Sequence, residues 1–284
     1  MVLVGGDTPQ PATRLHTGST NFERVRTDEV LTLLQDVAAE VIEPRFRALA
    51  DDQVDEKGPG DLVTVADREA EVLITEALTA AYPDALVLGE EATAADPSLL
   101  ERYRDAGHAF TVDPVDGTRN FVHGSPDHAV MAAELRDGVV VRSWIWQPQH
   151  RVAYVAERGT GAFRDGVRLE RPPLGADLRG VTSRRTWLGR ALGTLRALET
   201  TWVCCGVDYP KLVEGDADYA LYRGTKPWDH APGSLLLTEA GGYVGTFAGE
   251  EYDAQAPLPS GLVAAADRAT YDLVQGLLGA LPGL

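Results

Sequence analysis

The sequence predicts a layered α/β protein of two αβ halves, each with a mixed sheet. Amphipathic helical spacing alternates with short apolar runs before residue 112 and again after about residue 180. Between these stretches, three strand-like runs follow one another through turn signals, as antiparallel neighbours do. The composition allows a sizeable core: 284 residues, 44% of them hydrophobic. No apolar run approaches the ~18 residues that read as a membrane span.

Residues 1–20 lack a basic stretch followed by a long apolar one, so they read as a flexible tail, not a secretory leader. Residues 27–50 carry helical spacing, with Thr27 or Asp28 as the N-cap. A polar loop (DDQVDEKGPG, 51–60) follows, then a second amphipathic helix over 67–81 that Asp67 opens. ALVLGEE (85–91) is a short buried strand ending in Gly89-Glu90-Glu91; 97–106 is a helix and HAFTV (108–112) a strand. HAVMAAEL (128–135), VVVRSWIW (139–146) and RVAYVAE (151–157) form a meander, with Asp137-Gly138 as one turn. GTGAFRDG (159–166) is a turn-rich connection. Residues 185–199 read as a helix, and TWVCC (201–205) and ADYALY (217–222) as strands. WDHAPGSLLLTEAGG (228–242) is a helix ended by its glycine pair. GLVAAA (261–266) is a strand, and a helix runs from about 267. The halves divide between 155 and 180, giving 21–165 and 166–284.

The net charge is −17, from 26 basic against 43 acidic residues. Nucleic acid as a bulk partner wants the opposite sign. An acidic cleft still accepts a small phosphorylated metabolite when divalent cations invert its charge. Cys204 and Cys205 are adjacent, which disfavours an unstrained disulfide between them and fits a reducing cytoplasm.

Acidic clusters stand at the ends of predicted elements: Asp61 and Asp67, Glu90 and Glu91, Asp113 and Asp116, and Asp229. Each alone has a bland reading, as a helix cap or a solvated acid. Together they suit Mg²⁺, a hard cation that takes carboxylate oxygens, water and substrate phosphate. DPVDGT (113–118) offers two carboxylates and the Val115 carbonyl from one tight loop. Pro114 removes a competing donor, and Gly117 lets the chain turn. The Gly117 and Thr118 amides would open a helix and receive phosphate oxygens. The Thr118 hydroxyl can relay a proton from a water to Asp67. This set suits attack of metal-activated water on a phosphate monoester.

DPVDGTRNF and WDHAPGSLLLTEAGG resemble the paired signatures of the inositol monophosphatase family, with DLVTVAD, LGEE, WQP and ERGTGAFRDG in family order. The resemblance spans about residues 25 to 280. It implies an αβαβα sandwich with the site between its halves, a Mg²⁺-dependent and often lithium-sensitive phosphatase, two to three ions per site, and a homodimer. It implies Glu90, Asp113 and the Val115 carbonyl at a first metal, Asp113, Asp116 and Asp229 at a second, and Glu90 at a looser third. It matches Asp67 and Thr118 to the water-activating pair, with Glu90 also in the catalytic set, and Gly117 and Thr118 to phosphate binding. Lys57 and Asp61 fall in a loop that closes on the metals in relatives. Inositol-selective members carry an acid shortly before the Trp-Asp pair; here Tyr222 or Arg223 stands there, with Lys226 nearby. Arg223 and Lys226 would favour a second anionic group, and Ser183 and Arg184 would border the pocket. Inositol phosphate is then the default substrate, with histidinol phosphate and fructose 1,6-bisphosphate as alternatives. A non-catalytic member would be expected to lose a site residue, and none is lost. His123, His128 and His230, the aromatic strip Trp144, Trp146 and Tyr154, and both cysteines read as structural.

Overall fold

The chain folds around two stacked sheets whose faces are sealed by three layers of helix. The computed structural model describes residues 21–58 and 60–283; the expected tail, 1–20, lies outside the described residues. Helix α1 (Asn21–Val37) passes into a π turn (Ala38–Ile42) and a 3₁₀ turn (Glu43–Arg45). It begins ahead of Thr27, which is therefore inside the helix instead of capping it. The stretch expected as a loop holds β1 (Val54–Gly58), paired antiparallel with β2 (Asp61–Thr64). Thr64 caps α2 (Val65–Ala81), and β3 (Leu86–Gly89), α3 (Glu90–Ala95) and α4 (Ser98–Arg104) follow.

Strand β4 (His108–Asp116) runs through the DPVD motif and leads into α5 (Thr118–Val122). The expected meander is β5 (Ala129–Arg136), β6 (Val139–Gln147) and β7 (Val152–Glu157), extended by β8 (Gly161–Arg164) and β9 (Val167–Arg168). These strands form one sheet in the order β3-β4-β5-β6-β7-β8-β9, parallel at β3–β4 and antiparallel elsewhere.

The rest of the chain contributes β10 (Gly180–Thr182), β11 (Glu199–Thr200), α6 (Cys205–Glu214), β12 (Tyr219–Tyr222), α7 (Pro227–Glu239), β13 (Tyr243–Thr246), β14 (Leu262–Ala265) and α8 (Arg268–Leu277). Its sheet has the order β11-β10-β12-β14-β13 and mixes parallel and antiparallel pairs. Two expectations fail here. Residues 185–199 form a 3₁₀ turn (Arg185–Trp187) and an Ala191–Ala197 bridge instead of a helix, because Gly189 and Gly193 take positive φ. TWVCC is not a strand: Cys204 precedes α6 and Cys205 is its first residue.

The layers follow from which faces are apolar. Alternate residues of the first sheet (Phe110, Val112, Val130, Ala132, Trp144) pack under α1 and α2. Their neighbours (Ala109, Met131, Ala133, Ile145) face Tyr209, Leu212, Leu235 and Leu236 of α6 and α7. The same cluster reaches Ala220, Tyr222, Leu262 and Ala264 on the second sheet. That sheet's other face, with Tyr219, Leu221 and Val263, packs on Tyr271 and Val274 of α8. The order is α, β, α, β, α, as the resemblance implied. Helix α7 lies between two sheets and is apolar on almost every side, as a fully enclosed helix must be.

Candidate active site

The acidic residues gather where β4 ends and α2, α3, α5 and α7 begin. The two aspartates of DPVD come first. In a regular strand, residues three apart face opposite sides. Here Asp113 pairs with Met131 and Asp116 with Ala129, so β4 spends one more residue than β5 over this interval. The extra residue is a β-bulge at Pro114–Val115, and it turns both carboxylates to one side. The pair is thus set by a bulged strand, not by the tight loop read from sequence. Gly117 then reverses the chain at φ 80°, and a Cβ there would meet Cys204 Cβ at 3.0 Å and the Asp127 carbonyl at 3.1 Å.

Asp67 holds two roles at once. Its Oδ2 accepts the Thr64 amide at 2.9 Å and the Thr64 hydroxyl at 2.5 Å, closing a capping box at the start of α2. Its Oδ1 accepts the Thr118 hydroxyl at 3.1 Å, and that hydroxyl also lies 3.0 Å from the Val115 carbonyl. Burial raises the Asp67 carboxyl to about 6, against the pull of the Thr64 bonds.

Glu90 and Glu91 open α3. Lys57, from the β1–β2 hairpin, reaches both, at 2.6 and 2.8 Å. Burial works against the Lys57 ammonium, but the Glu90 and Glu91 charges outweigh it and hold it above its ordinary range. Burial pushes Glu90 up to about 7. Asp61, expected beside Lys57, is exposed. Glu71 was not singled out from sequence. It sits four residues after Asp67 on the same face of α2 and accepts the Glu91 and Ala92 amides, each at 2.7 Å. It caps α3 from another helix; the i, i+4 spacing from Asp67 was the available signal.

Asp113 is driven well above its ordinary range by burial, then by the charges of Glu90, Asp116, Asp229 and Asp67. Burial holds Asp116 at about 6, opposed by the Cys204 thiol (2.9 Å), the Gly206 amide (2.5 Å) and the amides of Gly117 and Cys205. Gly117's amide, expected on phosphate, is thus drawn to Asp116. Asp229, in the first turn of α7, is raised by burial and by Asp116 and Glu90, against Lys226 and Lys57. Among the described residues, no three acidic, histidine or cysteine side chains stand ready-set around one ion. The carboxylates share a field, with Lys57 on Glu90 and backbone donors on Asp116. The donor set, hard oxygens in charge excess, fits Mg²⁺.

The substrate-side residues divide. Lys226 is exposed, with Nζ 5.7 Å from the Trp228 ring centre. Arg223 is half-buried, and Ser183 lies in a separate cleft beside α5. Tyr222 is buried and donates its hydroxyl to Asp208 Oδ2 (3.4 Å). His230 bridges the Tyr209 hydroxyl and the Gly224 carbonyl at 3.0 and 2.8 Å. His123 meets the Arg119 carbonyl, and His128 packs on Phe46 and Phe121.

The family model described as "Inositol monophosphatase family" matches residues 24–280. An inositol-1-monophosphatase of Rhizobium meliloti is 35% identical over 208 residues, covering 67% of this chain and 74% of that protein. A Nus factor SuhB of Pseudomonas aeruginosa is 33% identical over 215 residues, covering 69% and 76%. The solved Thermotoga maritima IMPase superposes with a TM-score of 0.76 at 25% identity, over 90% of this chain and 97% of that one. Matching signatures, layered fold and near-complete coverage agree: the chain belongs to the inositol monophosphatase family.

Proposed function

We propose that the chain is a Mg²⁺-dependent phosphatase acting on a small phosphate monoester. One observation carries the reading: Asp113 and Asp229 are pushed well above the carboxylate range by burial and by the charges of Glu90 and Asp116, in a pocket that also buries Asp67 and where Lys57 is bonded to Glu90. Such charge excess is relieved by cations, and family membership supports a phosphatase. The proposed ligands are Glu90, Asp113, the Val115 carbonyl, Asp116 and Asp229, for two to three ions. Bound there, Mg²⁺ would neutralise the phosphate and supply a nucleophilic water near neutral pH.

The chain's own groups do the rest. Thr118 takes a proton from the water and passes it to Asp67, whose carboxyl near 6 is matched to that task. The Thr64 bonds fix the other Asp67 oxygen, so the receiving oxygen is Oδ1. The amides of Gly117 and Thr118 are the proposed phosphate donors, and Arg223, Lys226 and Ser183 the proposed substrate contacts. Inositol phosphate is the default substrate, with histidinol phosphate or fructose 1,6-bisphosphate as the alternative. A cytoplasmic homodimer completes the proposal. Several relatives are named Nus factor SuhB, but the complete set of acids favours catalysis over a purely non-catalytic role.

Asp113→Asn tests the site. Phosphate release with Mg²⁺ should fall at least about 100-fold, while the metal-free melting temperature holds or rises because one buried repulsion is gone. Turnover near that of the unmodified protein contradicts the assignment.

A further inference from the structure

A second cleft, of about 540 Å³, is lined in part by Val203, the residue before Cys204. Arg119 and Asn120 of α5 line it with His123 just after that helix, together with Ser183, Arg185 and Val203. Its charge runs against that of the molecule. In a chain of net charge −17, several arginines are tied to carboxylates, as Arg142 is to Glu134, Arg171 to Asp218 and Arg179 to Glu199, and others, such as Arg47 and Arg158, to backbone carbonyls. Among the described residues, neither the Arg119 nor the Arg185 guanidinium meets a carboxylate or a hydrogen-bond acceptor. Two free forks facing one cleft suit a phosphate or carboxylate.

The backbone of this wall is strained. Val203, a β-branched residue, takes φ 59° and stays 48% exposed. Asn120 Nδ2 donates to the Trp202 carbonyl at 2.8 Å, and the Val203 amide donates to the Thr201 hydroxyl at 3.1 Å. Strain of this kind persists where surrounding structure enforces it, and it concentrates at binding sites. The same turn presents the Cys204 thiol to Asp116. Along α5, Thr118 serves the carboxylates and Arg119 the cleft. The cleft and the acidic site therefore share α5 and the Val203–Cys204 turn.

We propose that this cleft receives a second anionic group of the substrate, held by Arg119 and Arg185 with Ser183 as a neutral donor, beside an apolar spacer over Val203. The inference rests on the phosphatase reading and deepens it: among the candidate substrates it favours an ester bearing a further phosphate or carboxylate, as fructose 1,6-bisphosphate does, over the default inositol phosphate. It moves the contacts for that group from Arg223 and Lys226 to the α5 side.

The test has two arms. Metal-stripped chain, dialysed free of chelator, is titrated with pyrophosphate by calorimetry; the bare acids repel anions, so heat reports the cleft. Arg119→Gln with Arg185→Gln should weaken binding at least about tenfold, as loss of charge-assisted hydrogen bonds requires. No binding to the unmodified chain, or equal binding to the double variant, overturns the proposal. In the second arm, the preference in kcat/KM for fructose 1,6-bisphosphate over inositol 1-phosphate should fall about tenfold in that variant, through KM. A fall seen instead only in Arg223→Gln with Lys226→Gln also overturns it. Pyrophosphate bound at the arginines, with no phosphate released from either ester, from histidinol phosphate or from adenosine 3′,5′-bisphosphate, would defeat the phosphatase reading and leave an anion cleft standing.

Discussion

Removing the Thr118 hydroxyl isolates the proposed proton path. Thr118→Ala should lower kcat about 100-fold and leave KM within about threefold, because the group acts on the water and not on substrate affinity. Thr118→Ser keeps the hydroxyl and should recover most of the rate. A Thr118→Ala variant with unchanged kcat would remove Thr118 from the mechanism. At this scale much of the site was legible. Asp113, Asp116, Thr118 and Asp229 stand out because two motifs carry their spacing in the sequence itself. Asp67 was legible as a helix-opening acid, and the structure shows one oxygen capping while the other meets Thr118. Glu71 and Cys204 were not, because their partners, the Glu91 amide and Asp116, lie 20 and 88 residues away.

Two elements set the geometry of the acids. The β4 bulge puts Asp113 and Asp116 on one side, and the Glu71 cap fixes the start of α3. Glu71→Ala should cost about 1–2 kcal/mol in urea unfolding, the ordinary penalty for a lost cap, and should raise the Mg²⁺ concentration needed for half-maximal rate. Unchanged stability and metal requirement would show that α3 holds itself. Gly89→Ala should act the same way, since its Cβ would fall 2.3 Å from the Glu71 carboxyl. Elements were readable where periodicity ran unbroken, as in α2 and the β5–β7 meander. They were misread where tertiary packing overrode spacing. Trp187, Leu195 and Leu198 fall at i, i+8 and i+11, spaced like one helix face, yet each reaches the same core from an irregular chain. The bulge was invisible because it exists only relative to β5.

For the whole molecule, buried acids make stability depend on pH in a definite direction. Asp67 and Asp116 lie near 6 and Glu90 near 7 when folded, each above its unfolded value. The folded chain therefore binds more protons than the unfolded one between about pH 4 and 7. Their contribution is fully present below about pH 4 and is lost as pH rises through the folded values. Metal-stripped protein should melt about 5 °C higher at pH 5 than at pH 7.5, with Mg²⁺ restoring the loss at pH 7.5. A melting temperature that rises with pH in this window would contradict the shared field. No helix among the described residues is long and apolar enough to cross a membrane, and light scattering should return twice the chain mass of 30.5 kDa if the proposed dimer forms. The most direct measurement is phosphate release, with and without Mg²⁺, from inositol 1-phosphate, histidinol phosphate, fructose 1,6-bisphosphate and adenosine 3′,5′-bisphosphate. Release should require Mg²⁺ and favour a substrate with two anionic groups. No release from any of the four with Mg²⁺ bound, or equal release without it, would contradict the account.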